Sequence, residues 1–175
     1  MNDQLIGITG FMASGKTTVA RALAARLDCR FVDLDELIVA QQQKTIKELI
    51  ETDGEDLFRR LETKRLGEIL QDRDARVIAL GGGTFTIAEN RRLLQDRNAR
   101  VVWLDAPFEL CWQRIQAGDN NRPLAPSHKI AETLYRARRP VYELAEIRLL
   151  VSEQKSAEAI ADEIATALLQ GNPHS

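Results

Sequence analysis

The sequence predicts one α/β domain in which a parallel sheet is covered by helices on both faces. Five short apolar runs, each suited to a buried strand, alternate along the 175-residue chain with segments of helical periodicity. The first run passes directly into a glycine-rich turn and then into a helix. No repeat, low-complexity segment or interdomain linker interrupts the alternation, and strands that alternate with helices typically form a parallel sheet.

Turn residues and the change of hydrophobic period set the bounds of the predicted elements. A glycine breaks one long helical pattern after Asp53, and Pro140 is expected to end another. Residues 118–127, rich in Gly, Asn, Pro and Ser, are expected to form a loop. In chain order we predict a strand at 5–9, a helix at 17–27, a strand at 29–35, two helices within 45–70, a strand at 76–80, a helix at 87–95, a strand at 100–106, helices at 107–117 and 128–139, a strand at 147–152 and a helix at 156–169.

Composition argues against several classes of protein. The net charge is −2, so no global positive field attracts nucleic acid. No apolar run approaches the roughly 18–20 residues that span a bilayer. Two cysteines, Cys29 and Cys111, make no metal-thiolate or disulfide framework, and the first residues do not resemble a secretory signal. We therefore expect a cytoplasmic protein that binds neither nucleic acid nor membranes. We also expect a monomer, although composition does not determine the oligomeric state.

Residues 10–17 match G-x-x-x-x-G-K-[ST], a loop that binds nucleotide phosphates. The strand before it and the helix after it are the context that the motif requires. Its backbone N–H groups and the N-terminus of the helix favour bound anions. We expect Lys16 to reach the β- and γ-phosphates and the Thr17 hydroxyl to bind Mg²⁺. The predicted ATP contacts in this loop are Ala13, Ser14, Gly15, Lys16, Thr17 and Thr18.

Two further groups of residues follow strands and reach the same edge of the sheet, where ligands bind in such folds. Asp33 and Asp35 lie two apart on the predicted strand, so both can face the phosphate loop. One would then hold Mg²⁺ through water while the other faces an attacking hydroxyl; the alternative is a pair of surface carboxylates or a helix N-cap. Glycines 81–83 suit a place where a ligand approaches the main chain, although a simple strand-to-helix turn also accounts for them.

Asp105 ends an apolar strand, a position where many nucleotide-binding proteins carry a metal-binding carboxylate. It also stands two residues before Pro107, where an Asp caps a helix and a Pro occupies the first turn. We favour the helix cap.

The arginines indicate an acidic acceptor, because guanidinium groups hold carboxylates with two parallel hydrogen bonds. The arginine clusters FRRLE (58–62) and RARRPVY (136–142) lie on or near predicted helices, although any single arginine there can belong to a solvated face. Neighbouring helical residues point about 100° apart, so we expect a cleft to take only one of Arg138 and Arg139. Arg138 is expected to share the inward face of Leu134, and Arg139 to turn toward Tyr135. Arg122 lies in the predicted loop and is expected to close on phosphates and stabilise transferring charge.

Six segments in order resemble the shikimate kinases, from about Leu5 to Tyr142: GFMASGKTT, DLDELI, TIKELIETDGEDLFRRLE, ALGGGTF, NRPL and RRPVY. The resemblance implies a P-loop kinase fold of the nucleoside-monophosphate-kinase type, with three layers and a five-stranded parallel sheet in the order 2-3-1-4-5. It implies one domain over residues 1–170 with a lid at about 118–128, and a disordered tail at 171–175. The implied reaction moves the γ-phosphoryl of ATP, with Mg²⁺, to the 3-hydroxyl of shikimate. The products are shikimate 3-phosphate and ADP, on the route to chorismate and the aromatic amino acids.

The resemblance also implies residue roles. Asp33 lies near Mg²⁺ with Thr17, and Glu62 orients Arg59. Ala13 occupies a place where many members have glycine, which we expect to be tolerated through a negative φ. The implied catalytic residues are Lys16, Asp35 and Arg122; further ATP contacts are Arg114, Arg122 and Lys155; shikimate contacts are Asp35, Arg59, Gly81, Gly82, Gly83 and Arg138.

Two other functions remain open on the residues alone. One is a P-loop kinase of another small acid or polyol, such as gluconate. The other is a nucleotide-binding regulator that has lost catalysis.

Overall fold

The computed structural model describes residues 4–118 and 124–170. Every connection between successive strands in these residues contains at least one helix, as the hydrophobic pattern predicts. The strands are β1 (Ile6–Thr9), β2 (Phe31–Asp33), β3 (Val77–Ala79), β4 (Arg100–Asp105) and β5 (Ile147–Leu150). The helices are α1 (Lys16–Arg26), α2 (Leu34–Gln42), α3 (Ile46–Asp53), α4 (Glu55–Asp72), α5 (Ala88–Asp96), α6 (Phe108–Ala117), α7 (His128–Tyr142) and α8 (Ala157–Gln170), with a 3₁₀ turn at Thr84–Thr86.

The five strands form one parallel sheet in the order β2-β3-β1-β4-β5, which is the order that the family resemblance implied. The central strand β1 pairs with both neighbours, so that Ile6 lies opposite Val77 on one side and Arg100 on the other. All four residues of β1 are buried. Since successive side chains point to opposite faces, both faces of the sheet are covered, as parallel sheets require.

Local sequence explains how the helices beside the site begin and end. Thr45 and Glu48 form a capping box at the start of α3, each accepting from the backbone N–H of the other. Gly54 has φ +88° and separates α3 from α4, at the break that the sequence predicted. The break places Arg59 in the second turn of α4, five residues after Gly54.

Helix α2 was not predicted, and it changes the setting of the two aspartates. The strand β2 ends at Asp33, whose side chain caps α2 by accepting hydrogen bonds from the backbone N–H groups of Asp35 and Glu36, at 3.0 and 3.2 Å. Asp35 therefore lies in the first turn of a helix, and the prediction that both aspartates share a strand is wrong. The N-cap alternative is correct for Asp33.

Two other predictions about helix ends are also wrong. Pro140 lies inside α7, which continues to Tyr142. Asp105 caps nothing: the N-cap of α6 is Pro107, without a side-chain cap. Asp105 instead accepts hydrogen bonds from Arg139 and Arg148, because a buried carboxylate is better compensated by two guanidinium groups than by one helix end.

None of the helices within residues 4–118 and 124–170 is long and apolar enough to cross a membrane. The predicted tail at 171–175 and residues 119–123 of the predicted lid, Arg122 among them, lie outside the described residues.

Candidate active site

The loop between β1 and α1 has the backbone of a phosphate cradle. Gly10 and Gly15 have φ +149° and +99°, which favour glycine. A Cβ on Gly10 would lie 2.8 Å from the carbonyl oxygen of Leu104. Ala13 has φ +60°, so the expected negative φ is wrong. The loop holds this alanine in the left-handed region at a cost of about 1–2 kcal/mol.

The first turn of α1 is open to an anion. No described side chain caps its N-terminus and no acidic residue lies in its first turn, so its N–H groups and its dipole favour a negative ligand. The ammonium of Lys16 donates to the carbonyl of Phe11 at 2.8 Å, which lays the side chain along the loop. The Thr17 hydroxyl donates to the Asp33 carboxylate, and this contact joins the loop to the end of β2.

A pocket of about 440 Å³ opens over this loop, and we call it the phosphate-loop pocket. The Arg114 guanidinium closes one side and donates to the carbonyl of Ala13 at 3.2 Å. Lys155 lies on the far wall in an ion pair with Glu163 at 2.9 Å. The volume of the phosphate-loop pocket suits a ligand as large as a nucleotide. The pocket is lined by Ala13, Gly15, Lys16, Thr17, Thr18, Val19, Asp33, Asp35, Leu80, Arg114, Val151, Lys155, Ala157 and Ile160.

A second, smaller pocket of about 80 Å³ adjoins it, and we call it the arginine pocket. Helix α4 contributes Arg59 and α7 contributes Arg138, while apolar side chains form most of the remaining wall. Asp35 lines both pockets. The arginine pocket is lined by Met12, Asp35, Ile46, Ile50, Phe58, Arg59, Glu62, Gly82, Gly83, Leu124 and Arg138.

A buried carboxylate holds Arg59 in place. Glu62, fully buried, accepts from Arg59 at 2.5 Å and from the Thr84 hydroxyl at 2.6 Å. Asn90 in turn donates to the Thr84 carbonyl at 2.9 Å. Burial alone would lower the pKa of Arg59, but the Glu62 carboxylate and that of Glu55 outweigh it and raise the pKa above its usual value. Arg59 therefore remains charged and carries one fixed orientation into the pocket.

The three glycines differ in what surrounds them. A Cβ on Gly81 would lie 2.6 Å from Glu62, and one on Gly83 would lie 2.5 Å from Arg59. These two positions exclude a side chain because charged groups of the site already fill the space. At Gly82 the nearest atoms would be the backbone N of Met12 at 3.5 Å and the guanidinium of Arg138 at 3.6 Å. Close approach thus explains Gly81 and Gly83, and the atoms that approach them belong to the protein; at Gly82 a Cβ would make only ordinary van der Waals contacts.

The adjacent arginines of α7 have different partners. Arg138 is 9% exposed and lines the arginine pocket. Arg139 makes a two-pronged contact with Asp105, at 2.6 and 3.0 Å, and donates to the Tyr135 hydroxyl at 3.0 Å. The prediction that Arg138 faces the cleft and Arg139 turns toward Tyr135 is confirmed.

The family model for shikimate kinase matches residues 12–169. The chain belongs to the shikimate kinase family. A shikimate kinase of Persephonella marina is 38% identical over 91% of this chain and 95% of its own length. One from Geobacter sulfurreducens is 41% identical over 91% of this chain and 87% of its own. The structure of shikimate kinase from Acinetobacter baumannii in complex with shikimate superposes with a TM-score of 0.89 at 36% identity, covering 98% of this chain and 96% of that one.

Most of the residues that the family resemblance selected meet at the two pockets. Gly81 does not line the arginine pocket but lies behind it, and Ser14 is buried in the loop. Arg122 is outside the described residues. Sequence reasoning missed Thr84, which follows the glycine run, and Tyr142, four residues after Arg138; in both cases the only signal was proximity to a motif already identified.

Proposed function

We propose that this shikimate kinase family member transfers the γ-phosphoryl group of ATP to the 3-hydroxyl of shikimate, giving shikimate 3-phosphate and ADP. The observation that carries the proposal is that Asp35 lines both pockets. A nucleotide in one and an acid in the other would then meet at a single carboxylate. The acceptor oxygen attacks the γ-phosphorus, its proton passes to Asp35, and the bond to the β-phosphate oxygen breaks to release ADP.

On the nucleotide side, catalysis consists of positioning and of charge stabilisation. The N–H groups of residues 13–18 and the N-terminus of α1 hold the phosphates, and Lys16 moves from its carbonyl partner to the β- and γ-phosphates. Arg114 and Lys155 flank the rest of the nucleotide. Arg122 is proposed as the lid arginine that neutralises the transferring charge.

Thr17 and Asp33 fit a magnesium ion. Both present oxygen ligands, they are in direct contact, and the carboxylate is held by two N–H groups of α2. Within 4–118 and 124–170 no group of three or more His, Cys, Asp or Glu could hold a metal. The oxygen pair of Thr17 and Asp33 matches Mg²⁺, which is commonly bound through one or two protein oxygens, water and substrate phosphates. When bound, Mg²⁺ neutralises charge on the β- and γ-phosphates; we propose that Asp33 contacts it through water.

On the acceptor side, Arg59 and Arg138 bind the carboxylate of shikimate, and the main chain at Gly82 and Gly83 lies against the ring. The pair of arginines and the largely apolar walls of the arginine pocket favour a compact ring acid, held by its carboxylate, over an extended polyol acid such as gluconate. We propose that the enzyme acts as a cytoplasmic monomer on the route to chorismate. Sedimentation of the purified protein at working concentration tests the oligomeric state.

A coupled assay of ADP release tests the function, with shikimate, gluconate or no acceptor. ADP release that depends on shikimate supports the proposal; equal rates without acceptor, or with gluconate, contradict it. Asp35→Asn should lower kcat by about 10²–10⁴, the usual contribution of a positioned base, without changing the KM for ATP. Asp96→Asn, at an exposed position in the last turn of α5, is the matched control and should retain normal kcat.

A further inference from the structure

Tyr142, the last residue of α7, connects two parts of the arginine pocket without lining it. Its side chain is 2% exposed, and its ring lies 6.2 Å from that of Trp103. Its hydroxyl donates to the carbonyl of Gly82 at 2.5 Å. The helix that carries Arg138 is therefore tied directly to the middle glycine of the run.

The same hydroxyl also faces Arg138. The two residues are four apart on α7 and share a face. Burial raises the pKa of Tyr142 more than the neighbouring guanidinium of Arg138 lowers it, and the net result is a pKa of about 12. The phenol is thus protonated at neutral pH. Its proton goes to Gly82, which leaves its lone pairs for Arg138.

The contact with Gly82 also orients a peptide group. The C=O and N–H of one planar trans peptide point in opposite directions, so a Gly82 carbonyl directed at Tyr142 turns the N–H of Gly83 away from α7. Loss of the hydroxyl would release both this peptide and the guanidinium of Arg138. A phenylalanine would fill the same space, so the ring alone accounts for the packing and not for these two contacts.

We infer that the Tyr142 hydroxyl is a positioning residue for the acceptor carboxylate, acting through Arg138 and the Gly82–Gly83 peptide. The inference rests on the proposed function and extends it to a residue outside the pocket. It predicts that loss of the hydroxyl weakens recognition of the acceptor carboxylate and changes the KM for ATP little.

Tyr142→Phe provides the test, with Tyr135→Phe as the matched control on the same helix. Tyr135 also has a hydrogen-bonded hydroxyl, which donates to the carbonyl of Ala106 at 3.0 Å, but it does not line the arginine pocket. For Tyr142→Phe we expect kcat/KM for shikimate to fall about tenfold, the scale of a lost hydrogen bond to a charged group. In the same variant, kcat/KM for the carboxamide of shikimate, which lacks the negative charge, should fall less than threefold. In Tyr135→Phe, the ratio of kcat/KM for shikimate to kcat/KM for the carboxamide should stay within twofold of the wild-type ratio.

The outcomes separate this inference from the proposed function. If the wild-type enzyme does not phosphorylate shikimate, the proposed function is wrong. If the wild-type enzyme does phosphorylate shikimate, and Tyr142→Phe lowers kcat/KM equally for shikimate and its carboxamide or lowers neither, the positioning role is wrong. In an Arg138→Ala background, Tyr142→Phe should cost less than twofold; a full tenfold loss there would show that the hydroxyl does not act through Arg138.

A second measurement does not require Tyr142→Phe to fold. The chain has two tyrosines, so 3-fluorotyrosine incorporated into Tyr135→Phe labels Tyr142 alone. Saturating shikimate should shift its ¹⁹F resonance, and Arg138→Ala should abolish the shift. A resonance that does not move when shikimate saturates the enzyme overturns the inference.

Discussion

Replacing the two neighbouring arginines of α7 by alanine, one at a time, should affect different properties: acceptor binding at Arg138 and stability at Arg139. Arg138→Ala removes a guanidinium that is 9% exposed and lines the arginine pocket. A lost hydrogen bond to a charged group costs about 1.5–3 kcal/mol, so the KM for shikimate should rise about 10- to 150-fold. The KM for ATP should change less than threefold.

Arg139→Ala should instead reduce stability. Asp105 is 6% exposed and loses a two-pronged partner. Breaking a buried ion pair costs about 3–5 kcal/mol. Here Arg148 remains bound to the same carboxylate and Arg139 itself is 33% exposed, which reduces the expected loss to about 1–2 kcal/mol. For a chain of this size the melting temperature should fall by about 3–6 °C, with the KM for shikimate within threefold of the wild-type value.

The two variants are compared by the coupled ADP-release assay at saturating ATP and by scanning calorimetry. A large rise in KM for Arg139→Ala together with a normal KM for Arg138→Ala would refute the assigned orientation of α7. A normal KM in both would remove Arg138 from acceptor binding altogether.

Three further predictions concern the loop, the buried carboxylate and the thiols. Ala13→Gly should raise the unfolding free energy by about 0.5–1 kcal/mol in calorimetry, because relief of the positive φ exceeds the extra entropy of glycine in the unfolded chain; a lower melting temperature would contradict this. Thr84→Val should destabilise the enzyme by about 1.5–3 kcal/mol and raise the KM for shikimate, since Glu62 loses a donor, and Thr84→Ser should restore both values. Burial raises the pKa of Cys111 to about 11, so at pH 8 only about 0.1% is thiolate. Burial also raises the pKa of Cys29, but this thiol is partly exposed whereas Cys111 is buried. Cys29 should therefore react with a thiol reagent at least about tenfold faster, and a fast phase that survives Cys29→Ser would be evidence against this.

The sequence predicted the elements whose signals are local. The phosphate loop has a motif with required flanks, and Gly54 interrupts a clear helical period. The strand order could not be derived from periodicity, because pairing between distant strands leaves no local trace; it came from the family resemblance and is confirmed. Helix α2 was missed because its residues directly continue an apolar strand, so one pattern covered two elements.

The partners of charged residues were the least predictable part. Asp105 precedes a proline and suited a helix cap, yet two arginines distant in sequence bind it. Pro140 suited a helix end, but α7 continues for two more residues, which places Tyr142 on the same face as Arg138. The contact of Thr84 with Glu62 could not be predicted either, because the two residues lie 22 apart in sequence and no spacing rule links them.

The unequal crowding along the glycine run determines how its chemistry can change. At Gly81 and Gly83 a methyl group would collide with charged side chains, whereas at Gly82 it would meet its neighbours at ordinary van der Waals distance. The chain therefore offers one position at which the acceptor cavity can be narrowed by a single carbon while the arginines stay in place. Alanine at this position would favour acids with a narrower ring over wider ones. The same substitution would weaken the binding of an inhibitor that packs against the Gly82 backbone.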